Sequence, residues 1–212
     1  ASSSSRAQGR DGDARGPLGA AVLDALRPLR EAHDLPALAG LVIRGGHVAG
    51  VAAVGSRAVG RDLAVTLDEP WHLGSCTKAM TATLIGRLVE QGALRWDTTL
   101  ADVYPDLAGD MHEAWRGVTL EQLLSHRSGA PADLHRDGLW ARLFTDTATP
   151  LRDLRRVVVE HVATHAPAFP PGQGFVYSNA GYTVAGAVAE QVTGRTYEDL
   201  LREALLEPLG MT

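Results

Sequence analysis

Gly74-Ser75-Cys76-Thr77-Lys78 opens a stretch that runs on through Ala79-Met80-Thr81-Ala82-Thr83-Leu84-Ile85-Gly86-Arg87-Leu88, and its reading decides the fold. Met80, Leu84, Ile85 and Leu88 fall on one face at helical spacing, and Gly92 supplies a stop, so residues 75 to 91 are predicted as an amphipathic helix. Ser75 then stands in the first turn, and Lys78, three residues on, lies on the same face within reach of its hydroxyl. Lys78 is the single lysine among 20 Lys and Arg residues. A chain that uses arginine wherever a permanent cation serves keeps here the one basic side chain able to give up its proton near neutrality. The helix start offers unpaired N–H groups and positive potential, which favour an oxyanion beside Ser75 and disfavour a second cation. A neutral Lys78 can take the Ser75 proton as attack on a carbonyl begins. A solvated surface lysine is the plain alternative.

Further along, Tyr177-Ser178-Asn179 follows Phe169-Pro170-Pro171-Gly172-Gln173-Gly174-Phe175-Val176. The prolines and glycines make a stiff loop that presents the triplet just before a helix. In an extended segment positions 177 and 179 point to one side and 178 to the other. One face would carry a phenol able to shuttle a proton and an amide able to grip a carbonyl. Taken alone, the triplet reads better as a core tyrosine beside a helix-capping asparagine.

Outward from these two stretches, helices dominate. Leu18, Val22, Leu26 and Leu29 predict an N-terminal helix, and Leu120, Leu123 and Leu124 a short one. Residues 151 to 165, 180 to 193 and 197 to 206 read as three more, with Gly194 ending the second and Thr196 and Asp199 opening the third. Residues 93 to 118 read as loop and short turns. Two apolar runs, Ala37 to Arg44 and His47 to Val54, flank Gly45-Gly46 and read as a β-hairpin over 38 to 54. A lone hairpin is not stable in water, so further strands or a covering layer are expected. Residues 1 to 16, mostly Ser, Gly, Arg and Asp with little to bury, read as a disordered leader.

Together, Ser75-Cys76-Thr77-Lys78 and Tyr177-Ser178-Asn179 resemble the serine β-lactamase and penicillin-binding protein superfamily. The branch most like this chain holds class C β-lactamases, D-Ala-D-Ala carboxypeptidases and β-lactamase-like esterases. Leu94-Arg95-Trp96-Asp97 through Tyr104-Pro105, Leu123-Leu124-Ser125-His126-Arg127-Ser128-Gly129, Pro171-Gly172 and Glu207-Pro208-Leu209-Gly210-Met211-Thr212 look like its connecting motifs, so the likeness covers residues 36 to 212. It implies an α+β fold, with a helical lobe over about residues 75 to 193 and an antiparallel sheet flanked by helices. It also implies Ser75 as the acylated nucleophile, Lys78 as its base or proton carrier, Tyr177 as a partner acid/base and Asn179 as a substrate-orienting amide. The Ser75 N–H would be one oxyanion donor. Which of Lys78 and Tyr177 takes the first proton stays open, because coupled groups share their titration.

The family carries a third motif, a Lys/His-Thr-Gly triplet or similar, on a later strand, and nothing like it stands before Thr212. The expectation is that residues 17 to 212 are the N-terminal portion of such a domain. Its sheet would be incomplete and finished by a second chain, a partner copy or residues beyond.

Composition narrows the rest. A net charge of -5 with scattered arginines excludes a nucleic-acid partner, and no apolar run is long enough for a membrane span. One cysteine, Cys76, forbids an intrachain disulfide and reads as a small buried side chain rather than a nucleophile. His161 and His165 lie four apart on a helix, yet no third ligand stands out, so no metal and no other cofactor is expected. No Gly-x-Ser-x-Gly elbow occurs, which sets an α/β-hydrolase aside. The opening Ala1-Ser2-Ser3-Ser4-Ser5, without Met, leans toward a secreted or periplasmic location. The function expected is a serine hydrolase or acyltransferase acting on a small-molecule or peptide ester, amide or β-lactam. The alternative is a non-turnover penicillin-binding sensor or an inactive interaction homologue.

Overall fold

The computed structural model describes residues 12–135 and 138–211 and divides into two compact units, which meet in sequence between His72 and Leu73. Helices and one small antiparallel sheet give an α+β fold.

In the first unit, strands β1 (Asp13–Arg15), β2 (Ala37–Arg44) and β3 (His47–Gly55) order as β1-β3-β2, and helix α1 (Gly19–Ala32) packs on the sheet. The expected hairpin is β2 and β3. Gly45 and Gly46 sit at φ of 53° and 78°, the left-handed pair that a two-residue turn of matching twist requires. Leu26 of α1 meets Ala52 and Val54 on the sheet, with Val22, Leu23 and Leu38 around them. Gly50 lets the start of α1 come close, since a Cβ there would lie 2.6 Å from the Leu18 carbonyl carbon.

Two expectations change here. The first eleven residues of the leader lie outside the described residues, but Asp13–Arg15 pair with β3 from Asp13↔Ala53 to Arg15↔Val51. An edge strand's unpaired N–H and C=O groups can be satisfied by any backbone that reaches them, whatever its side chains. Asp13 Oδ2 accepts from Leu67 N at 3.1 Å and Arg15 bonds Asp68 at 2.9 Å, which fixes the polar strand in place. β3 is therefore flanked on both sides by this chain itself. Strands from a second chain or copy would have the outer edges of β1 and β2 to join among the described residues.

The second unit is built around α8 (Asn179–Thr193), whose Ala180, Gly181, Val184, Ala185, Val188 and Ala189 are buried. The small side chains let α7 (Leu151–Thr164), α2 (Thr77–Glu90) and α5 (Leu120–Leu124) approach its backbone. Between α2 and α5 lie two four-residue helices, α3 (Leu100–Val103) and α4 (Glu113–Arg116), within the stretch read as loop. Thr99 and Thr119 each cap a helix through a capping box, with Asp102 and Gln122 as the returning side chains. The two caps also form a β-bridge, so Leu100 N donates to Val118 O and Leu120 N to Thr98 O. Trp115 is buried and donates from Nε1 to His165 O at 2.7 Å. α6 (Leu139–Thr145) precedes α7, and α9 (Tyr197–Leu201) leads into a π turn over Arg202–Leu206.

Candidate active site

Gly74–Cys76 form one 3-10 turn that runs directly into α2, with Gly74 at a φ of 52°. Ser75 thus enters the helix on its first turn, and Lys78 follows one turn later. Lys78 Nζ lies 3.2 Å from Ser75 Oγ and donates to Asn179 Oδ1 at 2.7 Å. It also stands 4.6 Å from the centre of the Tyr177 ring and 5.6 Å from that of Tyr182, a cation over two phenol faces. Hydrogen bonding to Lys78, then to Ser75, holds the Tyr177 phenol below its ordinary pKa, because a neighbouring cation favours the phenolate. The four expected residues, Ser75, Lys78, Tyr177 and Asn179, are brought together in one solvent-open cluster.

The loop that carries Tyr177 and Asn179 is held along its length by residues 126 to 132. Gly172 N donates to Arg127 O, Ala168 N to Gly129 O, Val176 N to His126 O and Asn179 N to Ala132 O, all within 3.0 Å. Gly129 has a φ of 82°, and a Cβ there would lie 2.5 Å from Phe169 O, so only glycine fits this crossing. Ser178 is the buried exception in the triplet. Its Oγ donates to Pro131 O at 2.6 Å and accepts from Gly181 N at 2.8 Å, so serine caps α8 in place of Asn179. The alternation expected of the triplet is present, with 177 and 179 exposed and 178 inside.

A cavity of about 310 Å³ opens beside Lys78 and Asn179 and reaches Arg155 and Tyr197 along the Thr183 and Gly186 face of α8. Cys76 is exposed, contrary to the buried thiol expected, because the 3-10 turn leaves its side chain in solvent. His126, Tyr182 and Arg155 were not legible as site residues. Tyr182, three residues after Asn179 on a helix, could have been found from spacing alone. His161 and His165 stack at 4.3 Å between ring centres, and His165 Nδ1 lies 2.7 Å from His161 O.

The family model described as Beta-lactamase matches residues 22–212. The chain belongs to the Beta-lactamase family. Among its Beta-lactamase relatives, a protein of Amycolatopsis lactamdurans named penicillin-binding protein 4 is 36% identical over 183 residues, covering 86% of this chain and 45% of that one. A lovastatin esterase of Penicillium rubens is 31% identical over 182 residues, covering 79% of this chain and 45% of the esterase. Among solved structures, an octameric penicillin-binding protein homologue from Pyrococcus abyssi superposes with a TM-score of 0.72 at 27% identity, over 91% of this chain and 43% of that one. The chain thus spans less than half the length of the curated Beta-lactamase relatives it matches.

Proposed function

We propose that this chain carries the nucleophile half of an acyl-transfer site, in which Ser75 attacks an ester, amide or β-lactam carbonyl and holds the acyl group as an ester. The observation that carries this is Lys78 Nζ at 3.2 Å from Ser75 Oγ and 2.7 Å from Asn179 Oδ1. Lys78 in its neutral form accepts the Ser75 proton, and the Asn179 amide fixes the direction of its amine. Once Lys78 is a cation, Tyr177, inclined to give up its proton, passes it to the leaving group and takes the Ser75 proton from Lys78 in its place. The Ser75 N–H, in the turn that leads into α2, is one donor for the developing oxyanion. A penicillin and an ester, the chemistries named in two relatives, present the same acyl carbonyl to such a set.

The test is intact mass of the natural protein after incubation with a fluorophosphonate, a penicillin and an activated ester, followed by peptide mapping. The expected result is one adduct on Ser75, absent in Ser75→Ala. An adduct that survives Ser75→Ala, or labelling of Lys78→Arg at the wild-type rate, would sink the assignment. A penicillin adduct that persists without product release assigns a sensor instead of a hydrolase, and silence toward all three probes assigns an interaction protein.

A further inference from the structure

We propose that His126 is the positioning residue for Tyr177, clamping the backbone on both sides of the phenol and supporting its ring. This rests on the role given to Tyr177 above. Val176 N donates to His126 O at 3.0 Å, and Ser178 N donates to His126 Nδ1 at 3.0 Å. The two residues that flank Tyr177 are thereby tied to one histidine, through its backbone and its side chain. The ring continues the support. Its centre lies 4.5 Å from the Tyr177 ring at an interplanar angle of 37°, 5.0 Å from Tyr182 and 5.7 Å from Phe175. His126 holds a φ of 61°, a left-handed conformation that a non-glycine residue adopts at a cost. That backbone is what allows the carbonyl and Nδ1 to face the same strand of loop.

The chemistry of the clamp requires a neutral imidazole. Nδ1 accepts a backbone N–H, so the ring proton sits on Nε2, and an imidazolium would set two donors against each other. The titratable groups around the ring are Tyr177 and Tyr182, which face it, and Lys78, whose charge acts on it. Arg127, next in the chain, is engaged with Gly172 O at 2.6 Å. Burial first, and then the Lys78 charge, push the His126 pKa below the usual histidine value. The clamp therefore stays closed into mildly acid solution and opens when the ring protonates. Tyr177 then loses its approach to Lys78 and Ser75.

Three variants of the natural protein test this by acylation rate across pH. His126→Phe keeps a ring under Tyr177 and removes the acceptor. His126→Asn removes the ring but keeps a short acceptor, and asparagine tolerates the left-handed backbone. Tyr177→Phe gives the reference. The expected loss in kcat for His126→Phe is roughly tenfold to a hundredfold, the usual scale for a group that orients a reacting one, with KM little changed. His126→Asn should recover most of that loss and remove one ionisation from the acid side of kcat/KM. In a Tyr177→Phe background, His126→Phe should add nothing. An additive loss there, or an unchanged acid limb in His126→Asn, overturns the positioning role while leaving Tyr177's role intact. A Tyr177→Phe variant as fast as wild type overturns both. A ring nitrogen NMR spectrum with Nδ1 protonated at neutral pH would also overturn the clamp, without reference to activity.

Discussion

Two cations of the second unit end on the same helix and are treated in opposite ways. Arg155 is largely buried, with 16% of its side chain exposed, and binds Glu190, itself 2% exposed, through two hydrogen bonds of 2.8 and 2.9 Å. It binds Glu198 through two more at 2.9 Å. Glu190 Oε1 also accepts from Tyr197 N, and the Tyr197 hydroxyl meets Thr81 Oγ1 at 2.7 Å, on α2. Each of these guanidinium bonds ends on a carboxylate, and the network ties α7, α8, α9 and α2 together. Lys78, one turn before Thr81, meets a hydroxyl, an amide oxygen and two phenol faces, and among the described residues none of its hydrogen-bond partners is a carboxylate. A cation saturated with carboxylates is locked in its charge. One held by neutral oxygens has no opposing charge beside it. The difference separates a staple from a reagent.

The comparison is broken most directly at Lys78. Lys78→Arg keeps the charge and removes the exchangeable proton, and acylation should fall by about a hundredfold to ten-thousandfold with the melting temperature nearly unchanged. Acylation by Lys78→Arg within a few-fold of wild type would place both cations in the same class. Arg155→Met is the reverse experiment. It leaves Glu190 buried without its partner and should cost about 3 to 5 kcal/mol in denaturant unfolding. A cost under about 1 kcal/mol would mean that the pair is no staple. Smaller in scale is the ionisation of Tyr177, followed by tyrosinate absorbance. Its folded pKa is depressed by Lys78 first and Ser75 second, so Lys78→Met should move the transition to higher pH, and a transition that stays put removes Lys78 as the cause. Thr81→Val keeps the shape and deletes one hydroxyl contact to Tyr197, with an expected loss of about 1 kcal/mol and little change in acylation.

Much of this was readable from residue spacing, and what escaped did so for physical reasons. Ser75 and Lys78 sit three apart in one helix, so their meeting is local, and α7 and α8 announced themselves through apolar periodicity and Gly194. The strand Asp13–Arg15 has no apolar pattern because its order comes from the edge of β3, distant in sequence. α6 is preceded by Gly138 at its N-cap, with a φ of 64° and no side-chain cap, so no start signal marks it. Arg155 finds Glu190 35 residues away, a pairing that only tertiary structure creates. His126 stands within the connecting motif Leu123 to Gly129, which says nothing of its contacts. Its ring contacts depend on a left-handed backbone that residue identity alone does not suggest.

The bridged caps at Thr99 and Thr119 have a dynamic consequence. α3 has four residues and α5 five, far below the length at which a helix persists alone, so neither start is stable without the other. The amides of Leu100 and Leu120 each donate across the bridge to the segment before the other helix. Opening one cap therefore releases the partner's first turn. The two amides should exchange with deuterium at a common rate, as a single cooperative unit, although twenty positions separate them in the chain.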